Sequence, residues 1–153
     1  MLLAGLWCLQ PAAHAAPGNS HAKYDATPVN VRDRAMSHFK ENYAWVVDAA
    51  WYTTPGNNLY CFFHQGNIVN RVFYDKHGDW EYTLLSYPPS VLPKSVEKLI
   101  HGSFGGYRIS FANEIRRPGQ DPYYVVNIEN ANHIKVIQVE GDQIDIRQSL
   151  IKG

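Results

Sequence analysis

Residues 55–86 read PGNNLYCFFHQGNIVNRVFYDKHGDWEYTLLS, and residues 118–149 read PGQDPYYVVNIENANHIKVIQVEGDQIDIRQS. The second stretch is a diverged copy of the first. Pro55-Gly56 recurs as Pro118-Gly119, Tyr60 as Tyr123 and Gly78-Asp79 as Gly141-Asp142, each pair 63 residues apart. A fixed offset of this size marks a duplicated supersecondary unit. Within the first copy, Leu59–His64, Ile68–Tyr74 and Trp80–Ser86 are rich in aromatic and branched residues and separated by Gln65-Gly66-Asn67 and Asp75-Lys76-His77-Gly78. Strands joined by such short turns form an antiparallel meander.

Working outward, Trp45–Thr53 supplies a further strand before the Pro55–Asn58 turn. Upstream of it Val31, Ala35, Phe39 and Tyr43 recur every four residues. That spacing predicts an amphipathic helix, with Asn30 placed to cap it. After the Pro88-Pro89 break the plan restarts. Leu92, Val96, Ile100 and Phe104 form a second helical stripe, with Pro93 near its first turn and Gly105-Gly106 at its end. Strands follow at Tyr107–Ile115, Tyr123–Glu129, Ile134–Val139 and Gln143–Ser149. The predicted fold is α+β: two tandem αββββ repeats, residues 31–87 and 91–150. One unit of this size buries too little apolar surface to stand alone. Joined edge to edge, the two give one antiparallel sheet of about eight strands. Both helices then pack on one face and leave the other uncovered. Ile109 and Phe111 alternate with Arg108 and Ser110, whereas the first copy's opening strand is out of step by one residue, which a bulge explains.

Composition narrows the function classes. The 153 residues carry 14 basic and 14 acidic side chains, a net charge of +0, so no basic surface argues for nucleic acid or anionic lipid. Residues Leu2–Leu9 form an apolar run, interrupted by Pro11 and followed by Ala13-His14-Ala15. This is the pattern of a signal peptide over residues 1–15, with a flexible leader at 16–30 and one domain from 31 to 150. The run is too short for a permanent membrane span. Trp7 before Cys8 argues against a lipid anchor. Export makes the protein periplasmic or secreted, and leaves Cys61 as the sole cysteine, read as a buried apolar side chain.

Motifs for catalysis, metals and cofactors are missing. The seven histidines fall at no ligand spacing, and His38 and His101 read as equivalent surface positions of the two helices. Asp75–Asp79 reads as a hairpin turn rather than a calcium loop, because Lys76 and His77 occupy ligand positions. Asp48, Glu81 and Glu114 give no sign of converging, and Gly102–Gly106 is a helix stop rather than a phosphate cradle. The expectation is therefore a non-enzyme without catalytic residues, metal or cofactor. Aromatics make up 13% of the chain, with ten tyrosines and four tryptophans. Trp45, Trp51, Tyr52, Trp80 and Tyr82 are the candidate ligand-binding residues, since rigid aromatic anchors bury much area at little entropic cost.

The aromatic strand ending near Trp51, Tyr60 with Phe62, the turn Tyr74-Asp75-x-x-Gly78, and Leu92-Pro93-x-x-Val96 before Phe104-x-x-Tyr107 together resemble the PepSY-like, β-lactamase-inhibitor-like proteins of bacterial cell envelopes. The resemblance covers roughly residues 31–149. It implies tandem helix-plus-sheet repeats and recognition of a protein or peptide, including inhibition of an enzyme, on the uncovered sheet face. A different expectation is a binder of small molecules or cell-wall fragments, with a pocket between helix and sheet. The sequence leaves oligomeric state open.

Overall fold

The computed structural model describes residues 29–153. The expected signal peptide and most of the leader lie outside the described residues. Helix α1 spans Val29–Asn42, so Asn30 sits within the helix rather than at its cap. Four strands follow: β1 (Ala50–Thr53), β2 (Leu59–Gln65), β3 (Ile68–Tyr74) and β4 (Trp80–Tyr87). A short 3-10 turn at Pro89–Val91 leads into helix α2 (Lys94–Ser103), and four more strands complete the chain: β5 (Arg108–Arg116), β6 (Tyr123–Glu129), β7 (His133–Glu140) and β8 (Gln143–Ile151). All eight form a single sheet in chain order, each antiparallel to the next. The architecture is α+β, with the β4–β5 pairing joining the first four strands to the last four.

One face of the sheet carries two apolar clusters. Ala35 and Phe39 of α1 pack on Trp51, Leu59, Cys61, Phe63, Val72 and Tyr74. Val96 and Ile100 of α2 pack with Leu85, Tyr87, Ala112, Val126, Ile128, Ile137 and Val139. The register links both clusters to the same face, because Asn70, two residues from Val72, pairs with Leu85, which in turn pairs with Glu114. Each large side chain buried in this way contributes roughly 1.5–3 kcal/mol. Aromatic packing in the first cluster is dense: Phe39 lies edge-on to Trp51 at 5.4 Å and to Phe63 at 5.7 Å.

The first strand is shorter than the Trp45–Thr53 read from sequence. After α1 the chain turns tightly, with Val46 N–H donating to the Tyr43 carbonyl. Trp45 then folds back onto Phe63, ring centroids 5.6 Å apart. Held there, residues 45–49 make no ladder pairs with the end of β2, and Val47 is 93% exposed. Pairing with β2 begins only at Ala50.

Bulges interrupt three pairings. One lies in β5 between Ile109 and Phe111, which the alternation had put on a common face. The extra residue sends Ile109 into the α2 cluster and leaves Phe111 47% exposed on the other side. A second makes Glu81 the additional residue between Tyr74–Trp80 and Phe73–Tyr82. The third leaves Arg147 of β8 without a partner on β7, since Val136 pairs with Gln148 and Ile137 with Ile146.

The Asp75–Asp79 segment is a hairpin turn. The Asp75 Oδ1 accepts from the backbone N–H of His77 at 2.8 Å and of Asp79 at 2.9 Å, and Gly78 takes the positive φ of 83° that closes it. His38 departs from the expected surface position. Its ring stacks on Trp80 at 5.3 Å, and its Nδ1 lies 3.1 Å from the Tyr74 hydroxyl. His101 stays exposed. The two helices therefore use their histidines differently, because only α1 has an indole, that of Trp80 at the start of β4, within reach of its histidine. Burial lowers the His38 pKa despite the opposing charge of Glu41.

Candidate functional site

Strand alternation places on the second face the residues that point away from both helices. Both helices pack on the other face, and the Pro89–Val91 turn reaches only the border of this one, beside β5. Tyr52 on β1 pairs with Tyr60 on β2, Tyr60 with Phe73 on β3, and Phe73 with Tyr82 on β4. The four rings form one row across the strands. Tyr52 and Tyr60 stack at 4.8 Å and 16°, Tyr60 and Phe73 at 5.4 Å and 23°, Phe73 and Tyr82 at 4.4 Å and 18°. All four are half-buried. Successive rings cover one another's faces, so the row presents ring edges and tyrosine hydroxyls over much of its length. Each stacked pair is worth about 0.5–1.5 kcal/mol beyond its buried area. The surface is thus rigid before any partner arrives.

Next to the row stands Arg71. Its register partners are Phe62 and Leu84, and its guanidinium lies 5.6 Å from the centre of the Phe62 ring. Phe62 also meets His64 edge-on at 5.0 Å. Arg71 takes part in no hydrogen bond or ion pair among the described residues. It borders a groove of ≈ 600 Å³ formed with Val69, Leu84, Ser86, Phe111 and Asn113, and bounded by Pro88 and Pro89. A cation beside aromatic and apolar side chains, with no carboxylate in reach, suits an acidic group flanked by apolar surface on a partner.

The structure divides the five sequence-selected aromatics. Tyr52 and Tyr82 belong to the row. Trp51 alternates with Tyr52 and is buried under α1. Trp80 packs against the same cluster, stacked on His38, and its Nε1–H donates to Thr83 Oγ1 at 3.0 Å. Trp45, 53% exposed, sits on the helix side against Phe63. Tyr60, Phe73, Phe62, Arg71 and Phe111 were not selected as site residues. Their signal was period-two alternation: Tyr60 and Phe62 share one face of β2 and Cys61 and Phe63 the other. Asp48 and Glu81 are exposed, while Glu114 is buried on the helix face. Among the described residues no three histidine, cysteine or acidic side chains converge as metal ligands, and no helix is long and apolar enough to cross a membrane.

The helix face has its own concavity, where the two clusters meet. Tyr43, Trp45, Ile68, Asn70, Thr83, Tyr87 and Arg116 line a cleft of ≈ 360 Å³. At its edge Glu114 accepts from Arg116 Nε, from the Tyr87 hydroxyl at 2.7 Å and from the Tyr124 hydroxyl at 3.1 Å. Burial alone would raise the Glu114 pKa, but these donors and the Arg116 charge outweigh it and hold the carboxyl below its usual range.

No family model matches the chain, and no curated protein matches it. Solved structures do. A DUF2874 family protein from Bacteroides ovatus superposes with a TM-score of 0.62 at 17% identity, over 84% of this chain and 89% of its own. A BLIP-like protein from Bacteroides fragilis gives 0.62 at 13% identity, over 84% and 88%. A candidate periplasmic protein from Bacteroides eggerthii gives 0.60 at 12% identity, over 83% and 90%. What the chain shares with them is architecture: its eight-stranded antiparallel sheet and two helices form a BLIP-like fold.

Proposed function

We propose that the protein is an exported, non-enzymatic binding module that holds a protein or peptide of the cell envelope against its open sheet face, with inhibition of an envelope enzyme as one form of that activity. The observation that carries this reading is the stacked row Tyr52–Tyr60–Phe73–Tyr82 on a face that neither helix covers. A pre-ordered aromatic surface loses little side-chain entropy on association. Arg71 adds a charge for a partner's carboxylate to meet. The sequence pattern of residues 1–15 and the likeness to a candidate periplasmic protein support a periplasmic or secreted location. We further read the domain, residues 31–150, as two fused αββββ repeats of PepSY-like descent, a reading supported by the helix-then-four-strands order that occurs twice.

Affinity capture from a cell-envelope extract tests the proposal, with wild type compared against Tyr60→Ala and Arg71→Glu. Thermal melts confirm that each variant folds. The expected result is a captured partner lost from both variants. A partner retained equally by wild type and both variants binds elsewhere and overturns the reading.

A further inference from the structure

Asn70, Thr83 and Glu114 are buried polar side chains, and all three lie in the strip of sheet between the two apolar clusters. Two are satisfied. Thr83 Oγ1 accepts from Trp80 Nε1 and lies 3.1 Å from the Tyr43 hydroxyl, and Glu114 has its three donors. Asn70 is not. It is 2% exposed, its Nδ2 has no partner, and its side-chain amide makes no hydrogen bond among the described residues. Such a group destabilises a fold unless something meets it, so its retention calls for an explanation.

Asn70 and Arg116 both line the ≈ 360 Å³ cleft, with Asn70 Nδ2 itself closed off from solvent. Arg116 engages Glu114 through Nε, leaving both Nη groups without a partner among the described residues. Guanidinium nitrogens donate only, and their planar fork matches a carboxylate. Trp45 and Ile68 supply apolar wall to the same cleft. The volume falls in the range of small-molecule sites.

We propose that this cleft is a second binding site, across the sheet from the aromatic row, for a small carboxylate with an apolar body about the size of an N-acylated amino acid. The Asn70 side chain turns its Nδ2 out to the cleft, where the carboxylate accepts from it and from Arg116 Nη, and the apolar body lies against Trp45 and Ile68. Arg116 and Glu114 together are net neutral, so what Arg116 offers the carboxylate is the directed hydrogen bonds of its Nη groups rather than an uncompensated charge. The site is independent of the open-face reading and stands or falls separately.

The test is an NMR titration of the full chain with N-acetylphenylalanine and with N-acetylphenylalaninamide, each to millimolar concentration. The acid is expected to shift the Asn70 side-chain Nδ2 and Trp45 indole resonances, and to bind roughly tenfold more tightly than the amide. Asn70→Leu keeps the side-chain volume and removes the unpaired amide, so it holds or raises the Tm while abolishing the response. Arg116→Lys keeps the charge but loses the fork, and narrows the gap between acid and amide. Equal binding of acid and amide, or shifts that persist in Asn70→Leu, overturn the proposal. So does the absence of any shift at Asn70, including the case in which its amide protons contact only a long-lived water.

Discussion

The Tyr87 hydroxyl donates to Glu114 Oε2 at 2.7 Å across the β4–β5 pairing, through which the first four strands meet the last four. The ring of Tyr87 belongs to the second apolar cluster while its oxygen serves the polar strip. Tyr87→Phe deletes one of three donors to a buried carboxylate, at an expected cost of about 1–3 kcal/mol in denaturant unfolding. The pH dependence has a definite sign. The folded-state pKa of Glu114 is lowered, so the stability it contributes is present above the ordinary glutamate range and is lost as pH falls through the folded value. Removing a donor brings the folded pKa back toward the ordinary value. The gap between wild type and variant is therefore expected to narrow on acidification below about pH 4. A gap that stays constant to low pH contradicts this assignment.

Cys61 lies fully buried in the α1 cluster, and burial pushes its thiol pKa up to about 12. A thiol reagent such as Ellman's is expected to leave the native protein unmodified at mildly alkaline pH and to react fully in denaturant. Modification of the folded protein at the rate of a free thiol would show the side chain to be accessible.

Phe39 is the main anchor of α1, touching Tyr43, Trp51 and Phe63. Phe39→Ala is expected to cost about 3–5 kcal/mol. Hydrogen exchange localises the effect: amides of α1 lose protection first, while those of α2 and β5–β7 keep theirs. Uniform loss across both clusters would mean that the polar strip does not separate them energetically.

Phe73 stacks on two neighbours in the open-face row but faces no helix. Phe73→Ala is expected to cost about 1–3 kcal/mol, less than the core substitution, because two stacking contacts are lost and only a half-buried ring is removed. Arg71→Glu, which breaks no ion pair, is expected to change stability by less than about 0.5 kcal/mol. An unfolded Arg71→Glu protein would reveal a structural role for that guanidinium.

Much of the topology was legible in the sequence. Turn residues at Pro55–Asn58, Asp75–Gly78, Pro118-Gly119 and Gly141-Asp142 punctuate the chain, and seven strands have both ends within two residues of where the pattern places them. Trp45–Ala49 was not legible, because its β-forming side chains say nothing about whether a partner strand lies alongside. The site was half legible. In Leu59–His64 both alternating sets are apolar or aromatic, so periodicity sorts Tyr60 from Cys61 without saying which set faces the helices. Trp51 and Tyr52 posed the same problem, and Trp51 turned inward. A bulge displaces Phe111 from the face shared by its period-two neighbour, and nothing in Arg108–Phe111 announces it. The solitary Asn70 is invisible to pattern altogether, since an asparagine among apolar residues does not disclose whether a partner waits for its amide.

The misfit of Arg147, skipped by the strand beside it, bears on how the molecule behaves in a crowd. The outer border of β8 is bent there and flanked by the Asp145–Arg147 ion pair. An incoming chain seeking to extend the sheet meets a broken ladder at its midpoint, and at the far border a β1 of four residues offers little length to copy. Ribbon growth by edge addition is thereby starved of a template at both ends.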